Sequence, residues 1–329
     1  MANLVRCSLY SRRKFDNGKG MSMRIAVMGS GGIGGYYGAN LAKAGHEVAF
    51  VARGAHLEAI RAGGFYLTGP RGDIHLNPVL ASDDPVDIGP VDVILFCVKL
   101  YDTEDAANSI RPMVGPETMV ISLMNGVDGP DRISAVIGER HVLGGAAYVS
   151  AVIEKPGQIS YREGMNSIVF GEHGGGKSAR AEAFAEICRE AGFEATVSDD
   201  IGRDLWVKFL LLATNAGLTA ITRKPAGEVY SDPDLKALAI ELMREVAAIA
   251  TAKGIALPDG VVENAVRITE GFPPGLYASM YYDLDRGKRM ELESFSGLVV
   301  RLGTEFGIPT PHHSTIYACL KPYMNGSAT

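Results

Sequence analysis

The stretch MRIAVMGSGGIGGYYGANLAKAGHEVAFVAR, Met23 to Arg53, decides the fold. MRIAVMG reads as a short buried strand and HEVAFVAR as a second, with a glycine-rich turn and an apolar helix between them. Gly29, Gly31 and Gly34 supply the G-x-G-x-x-G spacing. The first glycine allows a tight turn, the second lets backbone approach a pyrophosphate, and the third lets the helix pack on the strand. The helix start, through Gly32 and Ile33, then offers free N–H groups and a positive dipole end to phosphates. A lone glycine cluster is a weak signal, but here it opens a complete βαβ unit. Gly29, Gly31, Gly32, Ile33 and Gly34 are therefore expected to bind a dinucleotide.

The end of the second strand bears on which one. NAD-binding versions place an acid there for the ribose hydroxyls. This chain has Arg53 in FVARGAHLEAI, with no Asp or Glu at the strand end. An arginine pairs with a 2′-phosphate, so NADP(H) is the expected cofactor. The alternative is a solvated surface arginine.

Outward from this unit, VDVILFCVKLYDTEDAANSI reads as a buried strand ending in Lys99, with a helix opening at Asp102 or Thr103. TMVISLMNGVDGPDRI reads as another strand, ending in Asn125-Gly126. In open α/β sheets ligands collect beyond the carboxyl ends of strands, which makes Lys99 and Asn125 candidate contacts to cofactor or substrate. The Asn-Gly pair is also a good tight turn. Residues 138–171 alternate and break at Pro156-Gly157 and Glu163-Gly164, as antiparallel strands would. A helix over KSARAEAFAEICREAG and a short strand over EATVSDD complete this half.

After Asp200 the pattern turns helical. The expected organisation is a disordered extension over 1–22, a Rossmann-like α/β dinucleotide-binding domain over 23–199 and an all-helical domain over 200–329, with a site in the cleft between the two domains. The first helix of the second part, DLWVKFLLLATNAG, sets Lys208 inside an apolar run. Such a lysine must snorkel to water, pair with a carboxylate, or act chemically. Asn215 follows two turns later on the same face. Farther on, ASMYYD carries Ser279 and Asp283, and Glu291 and Glu293 are expected to open the helix MELESFSGLVVRLG, where the dipole favours acids.

Composition limits the classes. The chain has 329 residues, 47% hydrophobic and 21% charged, with a net charge of -6. It carries no basic, aromatic-interleaved stripe for nucleic acid and no uninterrupted run of about 18 to 20 apolar residues for a membrane. Cys7, Cys97, Cys188 and Cys319 are scattered, without metal-ligand spacing, as expected of a cytoplasmic protein. Cys97 and Cys188 look like small core fillers. The histidines show no metal pattern either, and no metal is expected. A homodimer is compatible with the long apolar helices.

With GSGGIGG, VARGAHLEAI, VKLYDTEDA, MNGV, LWVKF, LTAIT, ASMYYDLDRGKRMELES and GIPTP in this order, the chain from Met23 onward resembles the ketopantoate reductase family. The resemblance implies NADPH-dependent reduction of a 2-oxo acid to a 2-hydroxy acid on the route to pantothenate, with a small-molecule substrate. It implies Lys208 as catalytic lysine, Glu291 as its substrate-side acid, Ser279 as substrate serine, and Lys99 and Asn125 beside the cofactor. The family usually has asparagines four and eight residues after the lysine, where this chain has Leu212 and Ala216. Asn215 is the candidate replacement for one of them. The substrate thus stays open between 2-dehydropantoate and another branched or aromatic 2-oxo acid. A non-catalytic NADP(H)-binding regulator is the alternative from another class, but it would need no proton donor such as Lys208.

Overall fold

The computed structural model describes residues 22–326, so all but one residue of the expected N-terminal extension lies outside it. Ten strands form one sheet: β1 (Arg24–Met28), β2 (Glu47–Val51), β3 (Phe65–Thr68), β4 (Ile74–Leu76), β5 (Leu80–Ser82), β6 (Val91–Phe96), β7 (Val114–Ser122), β8 (Val142–Lys155), β9 (Gln158–Glu172) and β10 (Glu194–Val197). Their order is β4-β3-β9-β8-β7-β6-β1-β2-β5, with β10 on β9. β5, β2, β1, β6, β7 and β8 run parallel, and β9 turns back antiparallel to β8. Five helices belong to this half: α1 (Gly32–Lys43), α2 (Gly54–Gly63), α3 (Thr103–Ser109), α4 (Gly129–Ile137) and α5 (Ala179–Glu190).

The parallel strands are runs of Val, Ile, Ala, Leu and Phe because helices or chain cover both faces. Ile25, Ala26, Val27, Val93, Ile94 and Phe96 are fully enclosed. β6 stops at Phe96 and β7 at Ser122, short of the expected ends at Lys99 and Asn125. The ladder runs out there: Cys97 N–H still reaches Met28 O and Leu123 N–H reaches Phe96 O, after which the chain bends into the crevice. The break expected at Glu163-Gly164 is instead a bulge inside β9. Pairing jumps from Val149 with Asn166 to Ala151 with Tyr161, and Gly164 takes φ +119° in the extra loop.

Beyond β10 the described residues form helices only: α6 (Ile201–Thr222), α7 (Ala226–Ser231), α8 (Pro233–Ala252), α9 (Val261–Glu270), α10 (Ser279–Asp285), α11 (Ser296–Phe306) and α12 (Pro311–Leu320). Asp200 caps α6 by accepting from Arg203 N–H at 3.0 Å. By length and composition α6 could cross a membrane, yet it is the central helix here. It buries Trp206, Phe209, Leu210, Ala213 and Ala216 in one core with residues of α8, α11 and α12. That core continues through Phe96, Leu100, Met124 and Ile133 of the sheet half, so the two halves share apolar contacts where the strands end. Glu291 differs from expectation. It lies ahead of a 3₁₀ turn over Leu292–Ser294, and α11 starts only at Ser296. Its carboxylate is turned back to the sheet half and is not free to stabilise a helix start.

Candidate active site

Two lysines mark the junction of the halves. Lys208, on α6, points its ammonium back at the sheet, where Asn125 Oδ1 accepts at 3.2 Å and the Ala147 carbonyl of β8 at 2.9 Å. The Tyr148 ring centroid lies 5.2 Å from Nζ. Each of these partners is neutral. Burial therefore acts unopposed on the charged form and lowers the Lys208 pKa to about 8. The side chain is part-buried, and its ammonium pairs with no carboxylate among the described residues.

Lys99 approaches from the sheet side, three residues beyond β6. Its ammonium donates to Asp283 Oδ2 at 2.9 Å and to Glu291 Oε2 at 3.0 Å. Glu291 Oε1 accepts from Leu100 N–H at 2.9 Å, so one carboxylate grips both a side chain and a backbone amide of the other half. Glu291 is buried, whereas 38% of the Lys99 side chain remains exposed. Burial opposes the charge on Lys99, but the carboxylates of Glu291 and Asp283 outweigh it and hold its pKa above the ordinary lysine range. Next to this pair, Arg289 stacks over Tyr101 at 4.1 Å from the ring centroid.

The glycine turn fits a dinucleotide on steric grounds. Gly29 takes φ +94°, and a Cβ there would lie 2.8 Å from the Cys97 carbonyl carbon. A Cβ on Gly34 would lie 2.3 Å from Gly29 O and 2.6 Å from Val27 Cγ1, so α1 touches the strand that precedes it. Around Gly31 a Cβ would meet nothing within 4 Å, which leaves that side of the turn open for a pyrophosphate. The first helical bond runs from Gly35 N–H to Gly31 O, leaving the N–H groups of Gly32, Ile33 and Gly34 without a partner inside the helix. No acid occupies the first turn of α1. Gly32 also meets a second constraint: a Cβ there would sit 2.1 Å from Ala151 O, because β8 crosses over the helix start.

Arg53 stands just past β2, exposed, and its guanidinium donates to Asp102 Oδ2 at 2.8 Å. Asn215 is buried on the same side of α6 as Lys208, and its Oδ1 has no hydrogen-bond partner among the described residues. Leu212 is half-buried and Ala216 buried on the intervening turns. Ser279 opens α10 as an exposed residue, tied to the site only through its neighbour: Ala278 N–H reaches Thr219 Oγ1 of α6 at 3.4 Å. The structure thus joins Lys208 to Asn125 and Lys99 to Glu291, and brings neither Asn215 nor Ser279 into hydrogen-bonding contact with them. Two participants carried no role in the sequence reading. Asp283 was visible only as one acid in ASMYYD, and Tyr148 sits in a β-strand with no local mark.

The chain is similar to known proteins over both halves. Residues 25–175 match the family model described as ketopantoate reductase PanE/ApbA, and residues 200–324 match its C-terminal companion. A 2-dehydropantoate 2-reductase of Mesorhizobium japonicum is 33% identical over 321 residues, covering 91% of this chain and 97% of that protein. The crystal structure of a PanE/ApbA family ketopantoate reductase from Ralstonia eutropha JMP134 superposes with a TM-score of 0.85 at 34% identity, covering 92% and 98% of the two chains. A D-mandelate dehydrogenase structure with NADH and anilino(oxo)acetate has a TM-score of 0.84 at 24% identity, covering 92% and 98%, and shares the fold.

Proposed function

This chain belongs to the ketopantoate reductase family of nicotinamide-dependent 2-oxo acid reductases, and on that premise we propose that it reduces 2-dehydropantoate to pantoate with NADPH, using Lys208 as general acid. The reduced nicotinamide supplies a hydride to the keto carbon. Negative charge then gathers on the keto oxygen, where an ammonium stabilises it and gives up a proton, leaving a hydroxyl. Lys208 suits that task because its partners are an amide oxygen and a backbone carbonyl, which orient the ammonium without holding its proton against transfer. This is the observation that carries the reading. The pKa of about 8 keeps the lysine mostly protonated at neutral pH and makes it a readier donor than an ordinary lysine.

On the cofactor side, Gly29, Gly31, Gly32, Ile33 and Gly34 would take the pyrophosphate, Arg53 the 2′-phosphate, and Lys99 a neighbouring part of the dinucleotide. On the substrate side, Asn125, Asn215 and Ser279 would hold the 2-oxo acid, with Glu291 as the second catalytic-side group. The unpartnered Asn215 Oδ1 supports a substrate with a donor to offer, such as the hydroxyl of 2-dehydropantoate. A second reading, a branched or aromatic 2-oxo acid, is favoured by the apolar Leu212 and Ala216 beside Lys208. A hydroxyl-seeking site discriminates strongly against analogues that lack the group. NADPH oxidation with 2-dehydropantoate, 2-oxoisovalerate and phenylglyoxylate separates the two readings. Highest kcat/KM with 2-dehydropantoate supports the first, preference for either apolar acid replaces it with the second, and no turnover with any of them defeats both.

A further inference from the structure

Arg53 and Asp102 come from opposite sides of β1. Arg53 follows β2 by two residues and Asp102 follows β6 by six, and β1 pairs with both strands. The 2.8 Å ion pair therefore bridges the chain across the carboxyl end of β1, above the glycine turn. A dinucleotide seated on that turn must carry its adenosine ribose past this bridge, because the ribose is read beyond the end of the second strand.

The acid is not placed for helix capping. Asp102 immediately precedes α3, where Asp ordinarily accepts a backbone N–H, yet its side chain makes no capping bond. Its carboxylate is turned across the crevice to the guanidinium. The chain thus provides both elements of ribose recognition at one place: a guanidinium suited to a 2′-phosphate and a carboxylate suited to ribose hydroxyls. They simply come from different strands. The pair also opens at little cost, since 85% of the Arg53 side chain is exposed and solvent screens such surface pairs.

We propose that Asp102 is a second determinant of cofactor choice, which moderates the NADP(H) preference set by Arg53 and lets the protein also accept NAD(H). With a 2′-phosphate present, Arg53 leaves the carboxylate for the phosphate, and the nearby Asp102 charge weakens that binding. With a free ribose, Asp102 accepts the hydroxyl hydrogens that Arg53 cannot. The inference rests on the reading of the glycine turn as a dinucleotide site.

Its test is binding, measured by calorimetry with NADPH, NADH and adenosine 2′,5′-bisphosphate on the wild type, Asp102→Asn and Arg53→Ala. Asp102→Asn should bind NADPH and the bisphosphate about tenfold more tightly and NADH more weakly, the size of one charge-assisted hydrogen bond gained or lost. Arg53→Ala should lose affinity for NADPH and the bisphosphate while keeping NADH. Asp102→Ser serves as a second variant and should shift the NADPH to NADH ratio in the same direction. An unchanged ratio in both Asp102 variants, with all three ligands still binding, overturns the role of Asp102 alone. Failure of the wild type to bind either dinucleotide overturns it together with the site reading beneath it.

Discussion

Lys99 and Lys208 stand on opposite sides of one junction, and their surroundings push them in opposite directions. Lys99 sits between two carboxylates, Asp283 and Glu291, which hold its charge in place. Lys208 has an amide oxygen, a backbone carbonyl and the face of Tyr148, and burial alone draws its pKa down to about 8. The side-chain chemistry is the same in both. What differs is whether the protein supplies a counter-charge. A lysine given two carboxylates is a fastener that keeps its proton, whereas one given neutral acceptors can release it.

The largest break in this contrast comes from truncating each lysine in turn. Lys208→Ala should lower kcat by ~10² to 10⁴, the usual range for a missing general acid, with NADPH affinity nearly unchanged. Lys208→Arg should restore little, since a guanidinium does not give up its proton near neutral pH. Lys99→Ala should spare far more of kcat. Equal losses in kcat from the two alanine variants, measured at saturating substrate, would erase the distinction.

The second effect is the pH profile. With Lys208 as the proposed proton donor, kcat for reduction should be level below pH 8 and fall toward tenfold per unit above it. In the direction of hydroxy acid oxidation the same group must accept a proton, so the rate should rise across the same pH. A reductive profile flat to pH 10 would remove Lys208 from the proton transfer.

The two lysines were also unequally legible in the sequence. Lys208 could be found because it violates a local pattern, a charge inside an apolar helical run. The βαβ unit was legible for the same kind of reason, since strand, glycine turn and helix are written within 31 residues from Met23 to Arg53. The Lys99 to Glu291 pair spans 192 residues and leaves no local trace. An acid ahead of an apolar helix has the same appearance whether it caps that helix or reaches across a junction, and Glu291 was accordingly expected at a helix start. β3, β4 and β5, at three or four residues each, are too short to show a period. Gly164 suggested the end of a strand because a bulge and a turn use the same residue type.

The third effect concerns Lys99 as fastener. Lys99→Met should leave the Glu291 and Asp283 carboxylates facing each other without a cation, and Glu291 is buried. Removing one partner of a buried pair costs about 3 to 5 kcal/mol, but Lys99 is over a third exposed, so about 1 to 2 kcal/mol is expected in urea unfolding at pH 7. Wild-type stability in this variant would mean that the ion pair contributes nothing net.

The smallest effect sharpens the contrast by its sign. A lysine with a folded-state pKa of about 8, against an ordinary 10.5, binds fewer protons when folded than when unfolded between those values. Stability should therefore rise with pH across that window: the cost of the buried ammonium is fully present below pH 8 and is relieved as the group loses its charge. Lys99 has the opposite sign. Its pKa is raised, so its contribution is whole up to about pH 10.5 and declines only at higher pH. Partial solvent access keeps the Lys208 increment on the order of 1 kcal/mol, which calls for a difference measurement between variants. Unfolding free energies of the wild type and Lys208→Met, taken at intervals from pH 7 to 10, should converge or cross as pH rises, because only the wild type carries the ammonium whose burial is being relieved. If the gap between the two stays constant over that range, Lys208 has an ordinary pKa in the folded protein, and the difference between the lysines is one of position alone.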